Sequence, residues 1–346
     1  MSDGVGAEPA DTGPRGASGA RHTELLTDAI LGAQREFTSH EIASAADVPV
    51  YRARRFWRAL GLANPEDGGA EFTSADGDAL RRLLLLISDG IVDESHALHI
   101  TRSLGGSTAR VARAFVEAML DPLAPDVDGA ERTFAVGAEE LIRALSDMES
   151  LLVYSWRRQV TAALPVLQRR GPRSSIAVGF ADLVSFTHLS RQLSDRELTS
   201  LVTQFEERTG NLITAYGGRI VKSIGDEVFF AADSPAVAAT IAHRIAENVK
   251  RRRIPGIRIG LEYGPVITHG GDLFGDTVNL ASRLTAMCAP NQIVVGPALA
   301  AALAPVSGFE IEPLPATDVK GFGRIMPGVL RACGRESGRD ATTVVL

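Results

Sequence analysis

The chain has 346 residues, 45% of them hydrophobic and 23% charged, with a formal net charge of -6 at pH 7. That length can bury substantial cores and is read as two domains joined by a connector, while the acidic balance argues against nucleic acid or an anionic membrane as the main partner. Its two cysteines, Cys288 and Cys333, form no CxxC pair and no disulfide framework, which points to a reducing, cytoplasmic setting.

Residues 1–21 are rich in Gly, Ala, Pro and Asp, lack the basic start and apolar core of a signal peptide, and are read as a disordered tail. No apolar run approaches the roughly 20 residues of a membrane span. The densest, residues 83–87, is expected in a buried helix. Residues 22–133 are assigned to a helical regulatory domain. It opens on an amphipathic pattern with Leu25, Leu26, Ala29 and Ile30 on one side. Thr38 and Glu41 then have capping-box spacing and start two short helical segments that break near Val48-Pro49, which is helix-turn-helix spacing. With its continuation through residue 104, this stretch resembles the MerR-type winged helix-turn-helix family.

Arg52, Arg54, Arg55 and Arg58 fall on the second helix, where DNA-binding relatives reach the major groove. Residues 38–104, however, carry seven arginines and no lysine against ten acidic residues. That balance lacks the basic footprint that DNA affinity requires, so these arginines are read as a solvated face and the fold as a regulatory or dimerisation module. His96 and His99, three apart, would share a helix face, and the bland reading of two surface histidines near a helix start is preferred to a pH sensor. Asp93, Glu94 and His96 do not make a metal motif.

Residues 134–172 form the connector. Leu141, Leu145, Met148, Leu152, Trp156 and Val160 make one stripe of a long helix, suited to core packing or to pairing with the same helix of a second copy. Residues 169–173 end it and mark the domain boundary.

From residue 173 to 332 the pattern alternates: an apolar strand at 176–180, a helix from the Ser194–Glu197 capping box to about residue 216, a β-hairpin, a helix begun by Ser234-Pro235, and a strand at 258–263. This β-α-β-β-α-β order is the ferredoxin-like split βαβ, so the chain as a whole is α+β. Residues 333–346 are read as a flexible tail. In the hairpin, Ile220, Lys222 and Ile224 share one phase of a two-residue period, and Gly225-Asp226 supplies the turn. Asp182 ends the first strand and Asp226 sits on the hairpin turn. Adjacent central strands would bring the two carboxylates together as a site for hard divalent cations. Asn279 and Arg283, four apart, project from one helix face; such an arginine can stabilise phosphoryl charge and the asparagine can orient a sugar oxygen. Lys320 stands in a Gly-flanked loop suited to polyphosphate.

The motifs FADLVSFT, VKSIGDEVFF, GDLFGDTVNLASRL and VKG, in that order, are similar to those of the catalytic domain of class III nucleotidyl cyclases. The N-terminal half resembles the regulatory halves of soluble mycobacterial-type cyclases. The resemblance implies that Asp182 and Asp226, with the carbonyl of Leu183, hold two Mg2+ or Mn2+ ions per active site. It implies that Phe186, Thr187 and Lys320 bind ATP, that Lys222 and Asp272 read adenine, and that Asn279 and Arg283 serve the transition state. A lysine donor and an aspartate acceptor match adenine, whereas guanylate cyclases usually carry Glu and Cys there. It further implies adenylate cyclase activity and a head-to-tail homodimer with active sites shared between chains. A DNA-binding regulator with a nucleotide-sensing half, and a guanylate cyclase, are the competing readings. The residues of the N-terminal half do not select among a proton, a lipid or other small apolar molecule, and a protein partner as its effector.

Overall fold

The computed structural model describes residues 24, 26–62, 69–120, 130–169, 175–251 and 256–332. The expected tails at 1–21 and 333–346, the wing residues 63–68 and most of the connector's end at 170–173 lie outside the described residues. The chain divides into two compact units, Met1–Pro165 and Val166–Leu346.

In the first unit, α1 (Ser39–Ala45) begins at the expected capping box, with the Glu41 carboxylate accepting the Thr38 N–H at 2.8 Å. Helix α2 (Val50–Leu60) ends on Gly61, whose φ of 85° suits a residue without Cβ. Helix α3 (Ser74–Ser88) repeats the capping box with Thr73 and Asp76, and a lone bridge between Phe37 and Phe72 ties the chain before α1 to the chain before α3. Ile42, Ala53, Phe56, Trp57, Phe72 and Leu80 pack as one core, with the Trp57 and Phe72 rings 4.1 Å apart. Helix α4 is Glu94–Leu120 and α5 is Ala130–Arg169.

Two expectations for this unit are corrected. Residues 83–87 are helical but not buried throughout: Leu85 and Leu86 are 58% and 42% exposed. Consecutive leucines advance about 100° each around a helix, so a run of four cannot share one buried face. The arginines of α2 are not a purely solvated face, because Arg52 and Arg55 both pair with Glu94, at 3.1 and 3.3 Å. His96 is an exposed histidine near a helix start, as read from the sequence, and its ring bonds back to Asp93 at 2.6 Å. The α5 stripe also splits. Leu141 is buried and Leu145 and Met148 are half-buried, whereas Leu152, Trp156 and Val160 are exposed.

The second unit is built on a seven-stranded sheet. Its first strands and helices are β1 (Ser175–Leu183), α6 (Phe186–Leu189), α7 (Asp195–Ala215), β2 (Arg219–Ile224), β3 (Glu227–Ala232), α8 (Pro235–Arg251) and β4 (Ile257–Pro265). There follow a two-stranded ribbon of β5 (Ile267–His269) and β6 (Asp272–Phe274), then α9 (Asp276–Met287), β7 (Gln292–Val295), α10 (Pro297–Leu303), β8 (Phe309–Pro313), β9 (Thr317–Val319), β10 (Gly323–Ile325) and β11 (Gly328–Ala332). The sheet order is β2-β3-β1-β4-β7-β11-β8, with β3 lying between β1 and β2 and antiparallel to both. This is the split βαβ arrangement read from the sequence.

Because side chains alternate along a strand, β1 supplies two cores. Ala177, Ala181 and Leu183 join one, with α7, α8 and α10; Ile176, Val178 and Phe180 join the other, with Leu273 of β6 and Val278 and Ala281 of α9. Helix α9 sits close against β4 at Gly260, where a Cβ would lie 2.3 Å from the backbone nitrogen of Thr285. Near it on the same strand, the buried Glu262 carboxylate accepts the N–H groups of Tyr263 and Leu299 at 2.8 and 2.9 Å, and burial pushes its pKa up. Gly260→Ala is therefore expected to force α9 off the sheet and lower the stability of this unit by about 1–3 kcal/mol, measured by denaturant unfolding. A wild-type midpoint would show that the helix seat tolerates a side chain.

Candidate active site

One transverse row of the sheet gathers charged side chains. Asp182 of β1 faces Glu227 of β3 on one side and Arg258 of β4 on the other, in direct register. Registered neighbours project from the same face. By the alternation that assigns Phe180 and Phe229 to the α9 side, the three residues point to that side too. The Arg258 guanidinium donates to the Asp182 carboxylate, while its buried Nε has no hydrogen-bond partner among the described residues.

Asp226 joins this row from the hairpin turn. Its carbonyl accepts the Leu183 N–H at 3.2 Å, and Gly225, with a φ of 61°, allows the tight reversal. The Asp226 carboxyl is held above the usual carboxylate range, first by burial and then by the neighbouring Asp182 charge, with its own backbone hydrogen bond and Arg258 opposing. Glu227 is raised as well, by burial first and then by Asp182 and Asp226. Three carboxylates and one guanidinium therefore share one sheet end. Neither Glu227 nor Arg258 stood out in the sequence. Glu227 follows the turn aspartate like an ordinary hairpin residue, and Arg258 precedes an apolar run; only the register across three strands brings them in.

The hairpin departs from a simple two-residue period. Ile220 pairs with Phe230 but Lys222 pairs with Phe229, so Val221 is an extra residue in a β-bulge. The expectation that Ile220 and Lys222 share a phase is corrected. Ile220 approaches Gly210 of α7, whereas Lys222 lies 5.9 Å over the Phe229 ring on the α9 side. There Lys222 Nζ meets the Asp272 carboxylate of β6 at 2.5 Å, a pair joined across fifty residues of sequence. The second Asp272 oxygen accepts the Leu273 N–H at 2.8 Å, which fixes the carboxylate plane.

The other predicted residues are on α9, on α6 and in the turn after β9. Thr277, Val278, Ala281, Leu284 and Thr285 are the buried face of α9, so Asn279 and Arg283 are on its exposed face. Among the described residues neither makes a side-chain hydrogen bond or ion pair. Lys320 is exposed in the turn after β9, where Gly321 has a φ of 87°. Phe186 packs against the core beneath α6, which leaves its backbone rather than its ring for a ligand; Thr187 is the second residue of the same helix, whose N-cap is Ser185, a non-glycine residue with a φ of 60°.

The carboxylate row fits hard divalent cations. Its donors are oxygens, its charge is negative, and it is only partly exposed. Among the described residues no group of three or more His, Cys, Asp and Glu side chains is arranged to hold an ion by itself. Backbone and ligand oxygens would have to complete the coordination of any ion held by Asp182 and Asp226. No helix of the described residues is long and apolar enough to cross a membrane.

Comparison with known proteins agrees with this geometry. Residues 169–331 match the adenylate and guanylate cyclase catalytic domain, and residues 15–157 match the adenylate cyclase regulatory domain. A protein named adenylate cyclase from Streptomyces coelicolor is 37% identical, over 88% of this chain and 88% of its own length. Proteins of the same name from Glutamicibacter nicotianae and Streptomyces griseus are 34% and 40% identical, over 89% and 78% of this chain and 81% and 69% of theirs. The chain belongs to the class III nucleotidyl cyclase family, with an adenylate cyclase regulatory domain ahead of its catalytic domain.

Proposed function

We propose that the protein is an adenylate cyclase that converts ATP to 3′,5′-cyclic AMP and pyrophosphate. The observation that carries this reading is the Lys222–Asp272 pair at 2.5 Å, a donor and an acceptor held together on the α9 side of the sheet; in a head-to-tail homodimer one chain would give Asp182 and Asp226 and the other Lys222, Asp272, Asn279, Arg283 and Lys320. A lysine that donates to a ring nitrogen and a carboxylate that accepts from an exocyclic amine select adenine over guanine. In the reaction the ribose 3′-oxygen attacks the α-phosphorus, the bond to pyrophosphate breaks, and the hydroxyl proton is lost. Asp182, Asp226 and the carbonyl of Leu183 would hold two divalent ions, Mg2+ or Mn2+. When bound, these lower the pKa of the 3′-hydroxyl and neutralise the triphosphate. Asn279 orients the ribose, Arg283 offsets the charge growing on the phosphoryl group, and Lys320 binds the polyphosphate. Phe186 and Thr187 contribute from α6, the short helix after β1.

The outward face of α9 supports a site shared between two chains. Asn279 and Arg283 extend from the side of the helix opposite its seat on the sheet, and they would serve the carboxylates of a second copy in a head-to-tail homodimer. In the N-terminal half, α1 to α3 and the Phe37–Phe72 bridge support a winged helix-turn-helix-like regulatory domain over residues 22–133. Its Arg52 and Arg55 are engaged with Glu94, which disfavours DNA as its partner and leaves a proton, a lipid or other small molecule, or a protein as the effector. Residues 134–172 then connect it to a catalytic domain at 173–332 in a cytoplasmic protein.

Mixing inactive Asp226→Ala and Asn279→Ala chains is expected to restore one intact site per heterodimer, seen as cyclic AMP formed well above either variant alone. Activity that stays at background rules out sharing. Arg283→Ala is expected to lower kcat on the order of 10²-fold with little change in KM, and an unchanged kcat would remove Arg283 from the reaction. A pH response follows from the raised carboxyls of Asp226 and Glu227. A metal ion must displace protons that these groups keep to a higher pH than ordinary carboxyls. Their folded-state pKa values are raised, so without metal their contribution to stability is present in acid and lost as pH rises through those values. Mn2+ affinity is correspondingly expected to fall as pH is lowered through the same range, above the ordinary carboxylate pKa of about 4. Titration of Mn2+ binding at successive pH values checks this, and a flat profile down to that ordinary value would contradict it.

A further inference from the structure

Arg258 is unusual among the charged groups of the carboxylate row because it is the cation already there. It faces Asp182 across the β1–β4 ladder and donates to its carboxylate. Asp182, Asp226 and Glu227 crowd the same sheet end, and Lys222, the nearest other cation named at this face, is committed to Asp272. The pairing is incomplete from the side of the arginine. Its Nε is buried without a hydrogen-bond partner among the described residues, and its side chain is still 32% exposed, against 16% for Asp182. A purely structural arginine would be expected to have its fork satisfied.

We infer that Arg258 is a resident counter-cation that competes with the first metal ion for Asp182 and must give up this carboxylate when metal binds. The inference rests on the reading of Asp182 and Asp226 as metal ligands. An oxygen lone pair that accepts from the guanidinium is not available to a cation, and a dication beside an undisplaced arginine is repelled by it. In the metal-free chain Arg258 keeps three crowded carboxylates from repelling one another.

The test measures Mn2+ binding to the full chain without nucleotide, from the electron paramagnetic resonance signal of free Mn2+. Thermal unfolding in chelator and in Mn2+ is measured in parallel. R258Q removes the competing charge, so its Mn2+ affinity is expected to rise about tenfold over wild type. Its unfolding midpoint is expected to fall in chelator and to recover more on adding Mn2+ than the wild-type midpoint does. Equal or weaker Mn2+ affinity in a folded R258Q overturns the inference. R258K keeps the charge and is expected to bind Mn2+ within about threefold of wild type. If R258Q does not fold, R258K decides: affinity about tenfold weaker would mean that the guanidinium supports the metal site rather than opposing it. D226N separates the two levels of the argument and is expected to abolish Mn2+ binding in both the wild-type and R258Q backgrounds. Mn2+ binding that survives D226N overturns the metal reading and the inference with it. Loss with D226N, but no tightening with R258Q, overturns the inference alone.

Discussion

Like charges crowded at one end of a β-sheet are the constraint around which the catalytic unit is arranged. Asp182, Asp226 and Glu227 lie within one row and one turn, two of them raised by burial and mutual repulsion. Such a cluster persists only where a cation is supplied and the backbone beneath it is rigid. Arg258 supplies the cation in register. Rigidity comes from β1, whose side chains are buried on both faces for most of its length, and from the contact between the Leu183 N–H and the Asp226 carbonyl, which pins the hairpin turn to the end of β1. The site is thus built on strands rather than on a long loop, which suits chemistry that depends on positioning.

The α9 side of the sheet is where these parts meet. Lys222 and Asp272 sit on this face with the carboxylates, but α9 itself turns Asn279 and Arg283 away from it. Small residues set that orientation. With no Cβ at Gly260 the helix lies against β4, and Thr277 donates to the carbonyl of Pro265 at 2.7 Å, which fixes its start. A helix seated so closely has little freedom to rotate. Its polar face is therefore a fixed outward surface, and the proposed need for a second chain follows from packing rather than from any missing residue.

The N-terminal unit has its own small aromatic core around Trp57 and Phe72 and its own capped helices, and its strongest ion pairs run within it. The Glu94 carboxylate draws in two arginines of α2 that a helix-turn-helix reading would send to DNA. Farther along, α5 leaves Trp156 and Val160 exposed, so the apolar stripe of the connector is only partly satisfied within the chain.

Local chemistry made much of this legible from the sequence. Capping boxes at Thr38 and Ser194 marked helix starts within a residue, because caps satisfy orphan N–H groups with side chains close in sequence. Apolar alternation and the Gly225-Asp226 turn located the hairpin, and spacing placed Asn279 and Arg283 together on one helix face. Long-range register was not legible. The extra residue at Val221 reverses which face Lys222 occupies, and a strand pattern read without its partner cannot reveal a bulge. Glu227 and Arg258 likewise become part of the site only because β3 and β4 flank β1 in a particular register. Sequence by itself determined which residues have the chemistry for a nucleotide and its metals. Tertiary structure decided which of them share a face, since that depends on strand pairing between segments far apart in the chain.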